Sequence, residues 1–393
     1  MVVLLGLTSL FTDISTEMIN SILPLYLTSQ LGFSPLYFGI FDGLYHGISA
    51  LMRIGSGLLA DRHQRYKEVA GAGYALSAFC KLGLWLAGSA WAMILAVLFL
   101  DRIGKGIRTA PRDALISLST PESSLGEAFG VHRALDTTGA FLGPMVAFML
   151  LAAIPAAYDV VFITSFFVAM IGLGILCFFV TNVGPNPAMP PEGNPRLSLR
   201  DLVILLGARR FKGVLLAGAA LSSATVSDSF IYLTLQRSAL LQPSYFPLLY
   251  VATALVYLLL AVPAGRLADH IGRPVVFLAG HGLLLALYGL LLWLRPGPLE
   301  TAVSLLLLGA YYACTDGVLM GMASAVLPPE HRTTGLAFLT TATILARSLG
   351  SVLYGAVWTW HGPRWALAIF FVGLLAAATF AAATLIPNTR TAK

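Results

Sequence analysis

Runs of apolar residues long enough to cross a lipid bilayer recur from one end of this 393-residue chain to the other. A hydrocarbon layer about 30 Å thick calls for about 20 residues of helix, and it holds no water to satisfy an unpaired backbone group. Each run therefore commits its segment to a helix. Short segments of alternating hydropathy are absent, which argues against a lipid-embedded barrel. The pattern predicts twelve spans, over 3–28, 36–60, 69–88, 92–116, 127–152, 157–181, 212–236, 245–268, 274–294, 301–326, 335–359 and 364–386. Only 11% of residues are charged and 58% are hydrophobic, with a mean hydropathy of +0.82. A soluble domain carries about 25% charged residues. The fold class is all-α membrane protein.

The net charge of +6 reports topology rather than a nucleic-acid partner. Arg62, Arg65 and Lys67 follow the second span, five basic residues from Arg196 to Lys212 crowd the middle of the chain, and Arg266, Arg273, Arg332, Arg390 and Lys393 complete one set of alternate loops. The opposite loops hold little beyond Arg237, Arg295 and Arg364. The excess of basic residues in cytoplasmic loops places both termini inside, in the cell (inner or plasma) membrane. Cys80, Cys177 and Cys314 fall within spans and read as small packing residues. The first span carries Asp13 and Glu17 and lacks a basic leader, so it does not read as a signal peptide.

Charge inside the oil is concentrated in one stretch, Leu100 to Ile116 (LDRIGKGIRTAPRDALI). At about 100° per residue, Asp101, Lys105, Arg108 and Arg112 fall in one stripe, with Arg102 and Asp113 beside it. Ionisable groups at bilayer depth face a bundle interior or a wet cavity, so this helix lines the working part of the molecule. At about 1.5 Å per residue, Asp13 lies about 15 Å deep, Glu17 one turn further, and His46 and Arg102 about 15 Å from the opposite surface. Asp13, His46 and Arg102 are thus expected to meet near the midplane. Asp42 shares the His46 face, Arg133 and Asp136 add charge in the fifth span, and Asp228 and Asp316 do so in the more apolar second half.

The chain is also internally duplicated. Gly57-Leu-Leu-Ala-Asp61-Arg62 reappears as Gly265-Arg-Leu-Ala-Asp269-His270, Pro121-Glu122 as Pro329-Glu330, and Gly126-Glu-Ala-Phe129 as Gly335-Leu-Ala-Phe338. A near-constant offset divides the protein into bundles of six spans at 1–181 and 212–387, a linker at 182–211 rich in proline and glycine, and a tail at 388–393.

Two parallel six-span repeats joined by a linker resemble the major facilitator superfamily (MFS). Gly57 to Lys67 is similar to that superfamily's loop motif, G-x-L-A-D-R-x-G-R-[RK]; Leu98-Phe-Leu-Asp-Arg102-Ile-Gly-Lys105-Gly106 resembles its fourth-helix motif; and Gly139-Ala-Phe-Leu-Gly143-Pro144 resembles its antiporter motif, with Ala147 and Phe148 where glycines usually follow. The resemblance implies two pseudo-symmetric bundles rocking about a midplane site, and proton-coupled efflux of a drug-like or metabolite molecule. It implies a conformational latch at Asp61, Arg62, Arg65, Asp269 and Arg273, to which Arg112 and Asp113 also belong, with Arg65 and Arg273 reaching carbonyls or a carboxylate across the two halves. Asp13 or Glu17, paired with Arg102 when ionised, would carry the proton. Gly139 and Gly143 share a face with Asp136, which is expected to pack against a helix of the other half.

No phosphate-binding loop, H-E-x-x-H or C-x-x-C is present, so neither a nucleotide cofactor nor a resident metal is expected, and no nucleophile and base pair marks an enzyme. Asp13, Glu17, Asp42 and His46 are a plausible transient ligand set, which keeps divalent-metal export as an alternative. Uptake or uniport of an anionic solute, suggested by Lys105 and Arg108, is another. A non-transporting membrane sensor or assembly partner is the reading from a different class. A monomer in the lipid bilayer, meeting a small solute and protons, is the expected working form.

Overall fold

The computed structural model describes residues 1–63, 65–121, 124–182, 208–238, 241–293, 297–327 and 332–386, with the side chains of 49–51, 53–63, 125–126, 209, 332–334 and 337 outside the description. The linker from 183 to 207 and the end of the chain from 387 also lie outside it. The described residues are helical throughout, with no strand among them.

We number the helices by span. The first half holds α1 (Val2–Asn20, prolonged by Leu23–Leu25 and a π-turn at Tyr26–Gln30), α2 (Pro35–His63), α3 (Tyr66–Ala87), α4 (Trp91–Leu118), α5 (Leu125–Ala153) and α6 (Tyr158–Phe179). The second holds α7a (Arg209–Ser223), α7b (Asp228–Ser238), α8 (Phe246–Ile271), α9 (Arg273–Trp293), α10 (Pro298–Val326), α11 (Arg332–His361) and α12 (Pro363–Leu385). Every expected span falls on a helix. Among the described residues, nine helices are long and apolar enough to cross a membrane; α2, α4 and α11 are as long. Large apolar side chains face outward along the helices, Phe178, Val262 and Val372 among them, as lipid-facing surface requires. Trp91, Trp293, Trp360 and Trp365 are exposed at helix ends, where an indole meets the membrane interface.

The seventh span departs from expectation. It breaks at Ala224–Ser227, in the run SSATVS, whose hydroxyls compete for backbone partners. Thr225 donates to the Leu221 carbonyl, Ser223 to the Ala220 carbonyl, and the freed N–H of Val226 donates to Tyr288 Oη at 2.7 Å.

Two compact units gather the described residues. The first lies within Met1–Phe33, Leu44–Pro190 and Gln242–Val251, the second within Ser34–Gly43, Pro191–Leu241 and Ala252–Lys393. Unit membership does not follow chain order at two places. The opening turns of α2 belong with α11: Gly39 and Gly43 lie against the Ser351 and Ser348 carbonyls, and Ser351 donates to Asp42 at 2.7 Å. The start of α8 belongs with α5, where Ser244 donates to the Leu151 carbonyl.

Within the first unit two glycine seams fix the interior. Gly73 of α3 and Gly104 of α4 meet backbone to backbone, a Cβ on either lying within 3.0 Å of the other helix. Gly139 and Gly143 of α5 do the same to α1, at the carbonyls of Leu10 and Ile14. Small residues allow this approach, which is how helices gain contact where lipid offers no hydrophobic drive. The expected partner of Gly139 and Gly143 was a helix of the other half. Their partner is α1 of the same unit, because the neighbour facing a small-residue stripe is chosen by tertiary packing.

Candidate functional site

The seams decide which charges meet. With Gly73 against Gly104, Ser77 and Lys81 one and two turns further along α3 come level with Asp101, which accepts from Ser77 Oγ and from Lys81 Nζ at one oxygen. Its second oxygen accepts from Arg102 at 2.7 Å. Lys81 is 1% exposed and Arg102 4%, so this is a buried triad of two cations and one carboxylate. The Arg102 guanidinium also lies 4.2 Å over the Tyr45 ring. Tyr45 Oη donates to Asn20, and Asn20 donates to Glu17 at 2.9 Å, which extends one polar chain from α3 to α1.

A second cluster lies along the α1–α5 seam. Asp13 has the Arg108 guanidinium at 3.6 Å, and its carboxyl is within hydrogen-bonding reach of Asp136 on α5. Asp136 lies 3.8 Å from Arg112, which donates to Asp113 at 2.8 Å and to Ser9 Oγ at 3.2 Å. Ser9 shares a hydrogen bond with buried His132. Arg108 packs its guanidinium 4.9 Å over Tyr74. Lys105, half-buried, interacts electrostatically with Arg102, Glu17, Asp13 and Arg108.

The second unit holds a different centre. Arg347 of α11 donates to Asp228 at 2.9 Å and to Tyr312 Oη at 2.6 Å, while Tyr312 of α10 donates to the same Asp228 oxygen. Asp228 stands at the first position of α7b, at the break. The side chains of Asp228 and Arg347 are 30% and 35% exposed, far more than any member of the Asp101 triad.

Several expected sites fall elsewhere. Arg102 is paired with Asp101, and Asp13 with Arg108, so the expected Asp13–Arg102 pairing does not form. Depth along two helices says nothing of rotation about their axes. Asp42 is buried against Ser351, His46 is exposed with its ring edge on Tyr45, and Arg133 and Asp316 are exposed. Among the described residues no group of three or more His, Cys, Asp or Glu could hold a metal ion, so Asp13, Glu17, Asp42 and His46 do not form a ligand set. Of the loop residues, Asp61 and Arg62 have side chains outside the described residues, and Arg65 is an exposed N-cap of α3. Arg273 donates to Asp269 at 3.0 Å and to the Gly321 carbonyl at 2.9 Å, both within its own unit. Pro144 lies inside α5 directly after Gly143. Lys81 escapes a search for charge clusters, yet no other residue of the expected span 69–88 is charged, and an intramembrane lysine is itself a functional signal. Tyr45, Asn20 and Tyr312 carry no such signal.

Twelve helices of membrane length, with ionisable networks turned inward and one helix broken beside an ion pair, define a membrane transporter. The chain belongs to the major facilitator superfamily, whose family model matches residues 5–241 and 228–393. It is 30% identical over 367 residues to an uncharacterised MFS-type transporter of Methanocaldococcus jannaschii, covering 91% of this chain and 88% of that one. An uncharacterised protein of Mycobacterium tuberculosis is 34% identical over 157 residues, 40% of this chain and 38% of its own. Among solved structures, the nucleoside transporter NupG superposes with a TM-score of 0.79 at 14% identity, over 98% of this chain and 99% of that one. A bacterial homologue of the human lysosomal transporter Spinster, inward-facing and unoccupied, superposes with a TM-score of 0.73 at 16% identity, over 97% and 95%. These likenesses are of fold.

Proposed function

We propose that the protein is a proton-coupled secondary transporter that exports a small organic solute, drug-like or metabolite, by alternating access. The observation that carries coupling is the Asp13–Asp136 pair, two carboxyl groups within hydrogen-bonding reach and flanked by Arg108 and Arg112. Two carboxyl groups so placed bond to each other only when one proton lies between them. Side-chain exposures of 14% and 27% leave them in reach of water. A shift of either guanidinium toward its carboxylate replaces the shared proton, and withdrawal readmits it. That exchange supplies a two-state element on which a solute cycle can be driven. Efflux as the direction follows from the Gly139-x-x-x-Gly143-Pro144 resemblance. The monomer is the working unit, with both termini in the cytoplasm of the host cell.

The test is transport in sealed proteoliposomes with an imposed pH gradient, reading internal pH as cationic drugs, anionic metabolites and divalent metals are added in turn. Solute-dependent proton flux is expected, and Asp13→Asn or Asp136→Asn should abolish it while solute counterflow survives. Undiminished proton flux in both variants would overturn the assignment. A second reading, movement of an anionic solute without protons, draws support from the buried Arg108 Nη1, which has no hydrogen-bond partner. It predicts flux of anions that is indifferent to both amide substitutions.

A further inference from the structure

We propose, on the reading that the protein carries a small organic solute, that the Asp228–Arg347–Tyr312 centre recognises it and that the solute is an amino-acid-like zwitterion, with one ammonium and one carboxylate group. Arg347 and Tyr312 stand at the middle of α11 and α10, about 22 Å of helix from either end. Two features of the chain bring Asp228 to them. The break at Ala224–Ser227 ends α7a and places Asp228 at the start of α7b. Gly350 of α11, one turn from Arg347, meets the end of α7a, where a Cβ would lie 2.5 Å from the Ser223 carbonyl oxygen. From that contact the Arg347 guanidinium reaches Asp228 at 2.9 Å.

The pair is joined at one corner only. Tyr312 Oη and Arg347 Nη2 both donate to Asp228 Oδ1, and Nη2 also donates to Tyr312. Among the described residues, Asp228 Oδ2 and Arg347 Nε and Nη1 bond to no protein group, and none of these three atoms is buried. A tie that only joined helices would close its polar atoms against each other, as Asp101 does by accepting at both oxygens. Charged groups that keep about a third of their surface open at bilayer depth face water and not lipid. An accessible acceptor of negative charge therefore stands beside accessible donors of positive charge. A carboxylate alone would satisfy Arg347 and lie against Asp228. An amine alone would do the reverse, and either brings an unpaired charge to membrane depth. An amino acid offers both groups and adds no net charge. Tyr311, which interacts electrostatically with Arg347 and Asp228, holds its ring 5.0 Å from that of Tyr312, and the two give the rest of the solute an aromatic wall. This centre lies in the second unit and the Asp13–Asp136 pair in the first.

The experiment uses the purified full chain in detergent at constant pH and ionic strength, with the twenty standard amino acids as probes and the unfolding midpoint as readout. At least one amino acid should raise the midpoint saturably. For the one with the largest effect, N-acetylation removes the ammonium charge and amidation the carboxylate charge. Each should weaken binding about tenfold, as loss of one charge-assisted hydrogen bond does. Asp228→Asn should erase the effect of acetylation and keep that of amidation, and Arg347→Gln should do the opposite. Glu127→Gln, on an exposed part of α5, should keep both. Should a variant fail to fold, a co-crystal with that amino acid carries the test: its carboxylate should lie on Arg347 and its ammonium on Asp228. No stabilisation by any amino acid, equal affinity for free and capped forms, discrimination that survives both substitutions, or an amino acid bound elsewhere would overturn the proposal. No pH gradient enters, so the result is read apart from the proton-flux test.

Discussion

The two halves repeat one architecture and spend their charge differently. The first unit buries Lys81, Asp101, Arg102 and Arg108 in helix-to-helix contact, each no more than 6% exposed. The second keeps its Asp228–Arg347 ion pair about one-third exposed and braced by a tyrosine. The offset that carries Gly57 onto Gly265 carries Arg108 onto Asp316 and Asn20 onto Asp228. Charge has thus been redistributed on a common scaffold. Buried charge that must stay paired suits a switch with few states, whereas an accessible pair can exchange partners at low cost, as a solute contact requires.

The sharpest way to break this contrast is to remove one carboxylate from each unit. Asp101→Leu strands two buried cations and should cost about 3–5 kcal/mol, read as a collapse of the unfolding midpoint in detergent. Adding Lys81→Met to it should restore part of that loss by removing one of the stranded charges. Gly143→Ala comes next. Its Cβ would sit 2.7 Å from the Ile14 carbonyl oxygen and 2.8 Å from Glu17 Cβ, and two backbones cannot part without opening the seam. A loss of about 1–3 kcal/mol is expected, with no counterpart at Gly265, where a Cβ meets open space. Asp228→Asn should cost about 1 kcal/mol or less, since water reaches both partners. If it proves as damaging as Asp101→Leu, the division between buried and accessible centres fails. Smallest of all, Asp269→Asn removes an exposed i,i+4 contact to Arg273 and should lower stability by about 0.3–0.5 kcal/mol.

The spans were legible because length and hydropathy are set by the bilayer, a solvent of fixed thickness. The interior was legible only as a list of residues. That Asp101, Lys105, Arg108 and Arg112 share a stripe follows from helical period, and the stripe is there. That Arg108 rather than Arg102 faces Asp13 depends on how α4 is rotated against α1. The Gly73–Gly104 seam sets that rotation for α3 and α4, and a lone glycine in an apolar span does not announce its partner. The break in α7 had a local signal in its run of hydroxyl residues, masked by the apolar average of the span.

The seam between α1 and α5 has a mechanical consequence. Gly139 leaves its Cβ position 3.1 Å from Asp13 Cβ, and Gly143 leaves its own 2.8 Å from Glu17 Cβ, so both acids are clamped at the root. Their helix cannot slide or roll locally, and each carboxyl group can travel only by turning about its own side-chain bonds. Under the proposed coupling, displacement of either carboxyl group begins as a throw of a few ångström on a fixed pivot, and larger motion must be carried by α1 and α5 as one stiff lever.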